Sequence, residues 1–201
     1  MLQVIVAAIA ILSLASCSAL VSCGFERWPV KDALDRDAGQ INLTPQDSTI
    51  AALIALPAPP APQARYDTRY PPIETVVYRV WGDLKRVSFS ADDGDYHLIL
   101  ADGAGRTMVV EAPDPGCAQG SFLIRQIGEV RRQIEVRFHS FPVNPGIRVR
   151  VTGVGFFDRI HDVVGQAPNG IELHPIVEIE WPNDTRQWLL TAIDRRVDLG
   201  I

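Results

Sequence analysis

The sequence predicts a mainly β protein with one or two helices: a five-stranded OB-fold-like barrel in the order β-β-β-α-β-β, followed by a C-terminal helix. Three observations carry this expectation. Runs rich in Val, Ile, Leu and Tyr recur after Glu74, a single stretch with apolar residues at three- and four-residue steps interrupts them after the third run, and Gly, Pro and Asp clusters separate them. The composition agrees, because 201 residues that are 47% hydrophobic and 21% charged suit one globular core and are too apolar for a disordered chain. Lys plus Arg number 19 against 24 Asp plus Glu, and a net charge of −5 gives no general attraction to phosphate backbones. Nucleic acid is therefore disfavoured as a partner.

Residues 1–23 read as an export signal or a membrane anchor. No charged residue occurs before Glu26, and Val4 to Leu14 is an almost unbroken apolar run. Leu14, Ala15, Ser16 and Cys17 follow it in the pattern of a bacterial lipobox, so Cys17 is the expected lipid attachment point. Leu20, Val21, Ser22 and Cys23 repeat the pattern and make Cys23 the alternative. An uncleaved anchor is a further reading, since Met1 to Val21 nearly spans a bilayer. Either way the rest of the chain is expected outside the cytoplasm. If Cys17 carries the lipid, Cys23 is free to pair with Cys117; if Cys23 carries it, Cys117 is alone.

Residues 24–73 read as a lead-in and a Pro-rich tether. Phe25 to Asp47 has too few apolar side chains for a core of its own and is expected to pack on something else. Thr49 to Leu56 allows one short helical turn, and Pro57, Pro59, Pro60, Pro62, Pro71 and Pro72 then stiffen the backbone into a spacer.

Residues 74–182 hold the barrel. Thr75 to Ser90 predicts a long strand bent near Gly82, Tyr96 to Ala101 a second and Thr107 to Ala112 a third. Leu123, Ile127, Val130, Ile134 and Phe138 fall on one helical face, with Ser121 as the expected cap. Period-two alternation returns from Ile147 to Phe157 and from Ile171 to Trp181, where Pro175 marks a bulge or an edge. In the last strand Ile171, Leu173, Val177, Ile179 and Trp181 are expected inward, with Glu172, His174, Glu178 and Glu180 outward. Arg148 and Arg150 are then expected to pair with Glu178 and Glu180. Residues 183–201 predict a terminal amphipathic helix through Trp188, Leu189, Ala192, Ile193 and Val197.

The stretch GVGFFDRIHDVVGQAPNGIELHP (Gly153 to Pro175), with DGDYHLILAD (Asp93 to Asp102) and ERWPVK (Glu26 to Lys31), resembles a group of exported bacterial proteins of unassigned function. The likeness runs from about Glu26 to Trp181 and implies a barrel-like core. It brings no catalytic residue with it.

Chemistry is concentrated where the last hairpin closes. Asp158, His161, Asp162, Glu172 and His174 form the one titratable cluster that this topology gathers. His161, Glu172 and His174 together could hold a divalent metal. Alternatively Asp158, His161, Glu172 and His174 staple the loop by hydrogen bonds. No phosphate-binding glycine loop, zinc-finger cysteine spacing or serine elbow is present, and GVG at Gly153 to Gly155 lacks a third glycine. The leading expectation is a membrane-tethered, non-enzymatic binding module of the bacterial cell envelope. It needs no cofactor, and its partner is an envelope protein or a saccharide. The rival is a metal-dependent, nuclease-like hydrolase using His161, Glu172 and His174.

Overall fold

The computed structural model describes residues 23, 24, 26–161 and 163–182. Cys17, with the rest of the expected signal, and the expected terminal helix over Asn183 to Val197 lie outside the described residues. Among the described residues no helix is long and apolar enough to cross a membrane.

Six strands form one sheet: β1 (Asn42–Ser48), β2 (Val76–Phe89), β3 (Tyr96–Ala101), β4 (Thr107–Ala112), β5 (Ile147–Phe157) and β6 (Ile171–Glu180). Their order is β1-β2-β3-β4-β6-β5, and pairing of β2 with β5 closes the last five into a barrel. β4 and β6 run parallel and meet at Val110 and Leu173; the other barrel pairs are antiparallel. That is the strand order of an OB-like barrel, as the sequence predicts.

Alternation explains the interior. Leu98, Leu100, Met108, Val110, Val149, Val151, Ile171 and Leu173 point inward with Val80, Leu84 and Val87. Two helices plug the barrel. In α3 (Ile124–Arg137), Val130 and Ile134 enter the core, and Trp181, just beyond the end of β6, donates Nε1–H to Gln133. In α2 (Ile50–Ile54), Ile50 and Leu53 enter it, and Asn169, just before the start of β6, donates to the carbonyls of Leu53 and Leu56. The plugs therefore occupy opposite mouths. Ser121 does not cap α3: its hydroxyl accepts the Leu123 N–H one residue ahead of the helix, and Leu123 takes the cap position without a side-chain bond.

Two departures from the expected register follow from close packing. At Gly153 a β-carbon would meet Leu173, Pro175 and Ile176 at about 3 Å, and at Gly155 it would meet the Ile73 carbonyl at 2.5 Å. The GVG sequence thus lets β5 approach its neighbours, and the pairing with β6 shifts on both sides of Gly153. Beyond Pro175, Ile176 rather than Val177 enters the barrel core, while Val177 packs against Ala33, Ile41, Val77 and Val154 on the outer wall. Arg150 and Glu180 face each other and make an expected cross-strand ion pair, joined by two hydrogen bonds of 2.7 Å. Arg148 instead lies 3.5 Å from Asp83 across β2, and Glu178 accepts from the Thr152 hydroxyl.

The largest difference concerns residues 24–73, expected as a packed lead-in followed by a Pro-rich tether. The lead-in packs on something else, as expected, but the something is the barrel wall, and the proline-rich part returns to it. β1 pairs in parallel with β2. Arg27, beside the one-turn helix α1 (Trp28–Lys31), is 1% exposed and donates to Glu74, Arg65, Thr68 and Phe157. Glu74 in turn accepts the N–H groups of Phe157 and Tyr70, so every oxygen of the buried pair is used. Arg69 is equally buried and donates to Asp35 and to the carbonyls of Val30 and Glu74. These bonds draw the segment onto the barrel instead of leaving it extended. Cys23 is joined to Cys117, closing a loop of 94 positions, which is the pairing allowed if Cys17 carries the lipid.

Candidate functional site

Side chains of even parity on β6 and odd parity on β3 and β4 point out of the barrel: His97, Glu111, Glu172 and His174. On a bare barrel they would be wet. Here Gly24, the residues from Glu26 to Lys31, the Cys23–Cys117 bridge and the described part of the β5–β6 loop lie against them, and Glu111 and Glu172 are each 3% exposed while His174 is 0%. Between this cover and the strands lies a cleft of about 670 Å³, with Lys31, His97, Glu111, Asp158, His161 and Glu172 among its walls.

Glu111 is the hub. His97 Nε2 lies 3.2 Å from its Oε1, while His174 Nδ1 at 2.7 Å and Lys31 Nζ at 3.7 Å approach its Oε2. Burial disfavours its charge, but Lys31, His174 and His97 outweigh that and hold its carboxyl well below the usual carboxylate range. For Lys31 burial likewise works against the charge, and Glu111, Asp158, Glu172 and Asp95 together reverse it and push the ammonium up. The other acids lack such compensation. Burial, then the charge of Glu111, pushes Asp95 up to about 9. Burial and the same neighbour raise Glu172 well above its ordinary value, and its Oε2 has no hydrogen-bond partner. Burial also lowers His174 in spite of Glu111.

The sequence-derived candidates separate into two places. His161 Nε2 meets Asp158 Oδ2 at 2.9 Å, and Asp158 N–H donates to the Gly170 carbonyl, so Asp158 is bonded both within the loop and across its base. Gly170, at φ +72, sits so near the Asp158 carbonyl that a β-carbon would collide with it. Asp162 lies outside the described residues. His174 belongs elsewhere, beside Glu111 and Asp95 and edge-on to Phe156. The metal set His161, Glu172 and His174 is not what assembles: among the described residues, the potential ligand atoms that come within 4.8 Å of one another are those of Asp95, Glu111 and His174. His97 and Glu111 were within reach of sequence reasoning, since strands at 96–101 and 107–112 joined by one turn place those two residues opposite each other. Asp95 carries no such signal, because it precedes the strand in a turn rich in aspartate.

The fold and site together define an OB-like barrel with a covered outer wall of carboxylates and histidines. No family model matches the chain, and no curated protein or solved structure matches it either.

Proposed function

We propose that the protein is a membrane-tethered, non-enzymatic binding module of the bacterial envelope, and that its outer-wall cleft takes a small cationic ligand. The observation that carries the ligand class is the charge of the cleft. Glu26, Asp92, Asp93, Glu111 and Asp158 line it against Lys31 and Arg159. Both bases are already engaged, Lys31 with Glu111 and Arg159 with Glu26. An ammonium or guanidinium group entering the cleft meets uncompensated carboxylate, whereas a phosphate or sugar acid meets repulsion.

Export and tethering draw on the chain's cysteines. A disulfide suits an oxidising compartment. A sulfur in a disulfide is not available for a thioether lipid, which favours Cys17 over Cys23 as the attachment point.

The test uses the full chain in detergent, titrated calorimetrically with spermidine and, separately, with glucuronate. Saturable spermidine binding that Asp158→Asn and Asp93→Asn weaken supports the reading, and preference for glucuronate overturns it. Metal-dependent hydrolytic turnover that His161→Ala abolishes would put the hydrolase in its place.

A further inference from the structure

Behind the Glu111 wall of the cleft, side chains from two strands and from the turn before a third converge. Asp95 leads into β3, Glu111 stands near the end of β4 and His174 lies on β6. One oxygen of each acid and one ring nitrogen lie within 4.8 Å of one another, and none of the three residues is more than 4% exposed. His174 Nδ1 is 2.7 Å from Glu111 Oε2, and Nε2 is 3.4 Å from Asp95 Oδ2. Neither contact is aligned as a hydrogen bond: both ring nitrogens and Glu111 Oε2 are buried without a hydrogen-bond partner. Buried polar atoms are rarely left without an aligned partner, and a histidine set at ion-pair distance between two carboxylates in this way presents the donor set of a cation site.

We propose that Asp95, Glu111 and His174 form a binding site for a first-row transition-metal dication of the Zn²⁺ kind. An imidazole with two carboxylates suits such an ion better than Mg²⁺ or Ca²⁺, which prefer oxygen alone. His97 stands 3.2 Å from Glu111 Oε1, on the side of that carboxylate away from Oε2, and Oε2 is the oxygen that faces His174. Three protein ligands is also the number found where a metal keeps one position for water or a ligand, and here Glu111 joins the ion to the cleft.

This goes beyond the ligand of the cleft, and either reading can fail without the other: spermidine reports the cleft, and Co²⁺ reports the site behind it. Full-length protein in detergent, stripped by chelation, is titrated with Co²⁺, whose visible absorption distinguishes a nitrogen-containing, low-symmetry site from loose binding to surface acids. The expected result is a saturable band at one ion per chain, displaced by Zn²⁺, with a melting temperature that climbs as Zn²⁺ is added. Asp95→Asn and Glu111→Gln should each weaken Co²⁺ binding at least about 10-fold. His161→Ala should bind as the unaltered protein does. Absence of both the band and the thermal shift in the unaltered protein overturns the site, and so does a band lost in His161→Ala but kept in the other two. Should Asp95→Asn fail to fold, the unaltered protein and Glu111→Gln decide.

Discussion

At the scale of single residues, the outer wall of the barrel shows what burial does to acids that have too few bases beside them. Asp32, at the end of α1, is 1% exposed with Oδ1 unpartnered. Burial pushes its carboxyl up to about 7, with Asp93 and Asp114 adding to the shift and Lys31 and Trp28 opposing it. The unfolded chain releases this proton near pH 4 and the folded chain holds it until about pH 7, so between those limits the folded state binds more protons and loses stability as pH rises. Asp32→Asn cannot titrate. Its stability relative to the unaltered protein should therefore be flat below pH 4, grow by up to about 1.4 kcal/mol per pH unit to pH 7, and be flat above. His174 and Glu111 titrate in both proteins and cancel in the difference. Urea unfolding of the pair at several pH values checks this, and a difference independent of pH would show that Asp32 is not held protonated. Little of this was legible beforehand. The Asp158–His161 contact is local and could be anticipated from a His near an Asp in one loop, whereas the contacts of Glu111 and Asp95 depend on a cover that the sequence pattern does not announce.

At the scale of elements, the barrel strands were legible because each obeys one rule. β3 and β4 alternate or run apolar between turn residues and fall at the expected positions, and α3 keeps its helical apolar spacing. β1 was not legible. Its sequence NLTPQDS has no alternation and contains Pro45, and its residues are mostly exposed, so only its parallel pairing with β2 makes it a strand. The docking of the proline-rich part was not legible for a related reason: what holds it to the lead-in is Arg27, Asp35, Arg69 and Glu74, which look like surface charges until their partners are known. The Cys23–Cys117 bridge fixes the free end of that cover. Closing a loop of 94 positions removes much chain entropy from the unfolded state, and its loss should cost about 2–4 kcal/mol. Cys117→Ser should lower the urea midpoint accordingly with the secondary structure seen by circular dichroism kept. If stability stays unchanged, the bridge is not part of what holds the lead-in down.

At the scale of the whole molecule, if the chain is tethered through its amino-terminal segment, folding the lead-in onto the wall changes where the cleft sits relative to a membrane. With residues 24–73 as a spacer, the barrel would hang far from its anchor. With the chain pinned at Cys23, six positions separate Cys17 from the bridge, and six residues reach at most about 20 Å. Cys23 and Gly24 are themselves part of the cleft lining. If Cys17 carries the lipid, the cleft is held close to the bilayer surface, where anionic headgroups concentrate cations within about a Debye length. A fluorophore introduced at Val163, on the cleft's loop, should therefore transfer energy efficiently to acceptor lipids in vesicles carrying the mature protein. Inserting a Gly/Ser stretch of about 20 residues after Ser18 adds a root-mean-square span of roughly 25 Å and should cut that transfer sharply. Cys17→Ser should abolish it by releasing the protein from the vesicles. Transfer that survives the insertion unchanged would mean that the barrel contacts the membrane through its own surface, and that the short link from Cys17 does not set the distance.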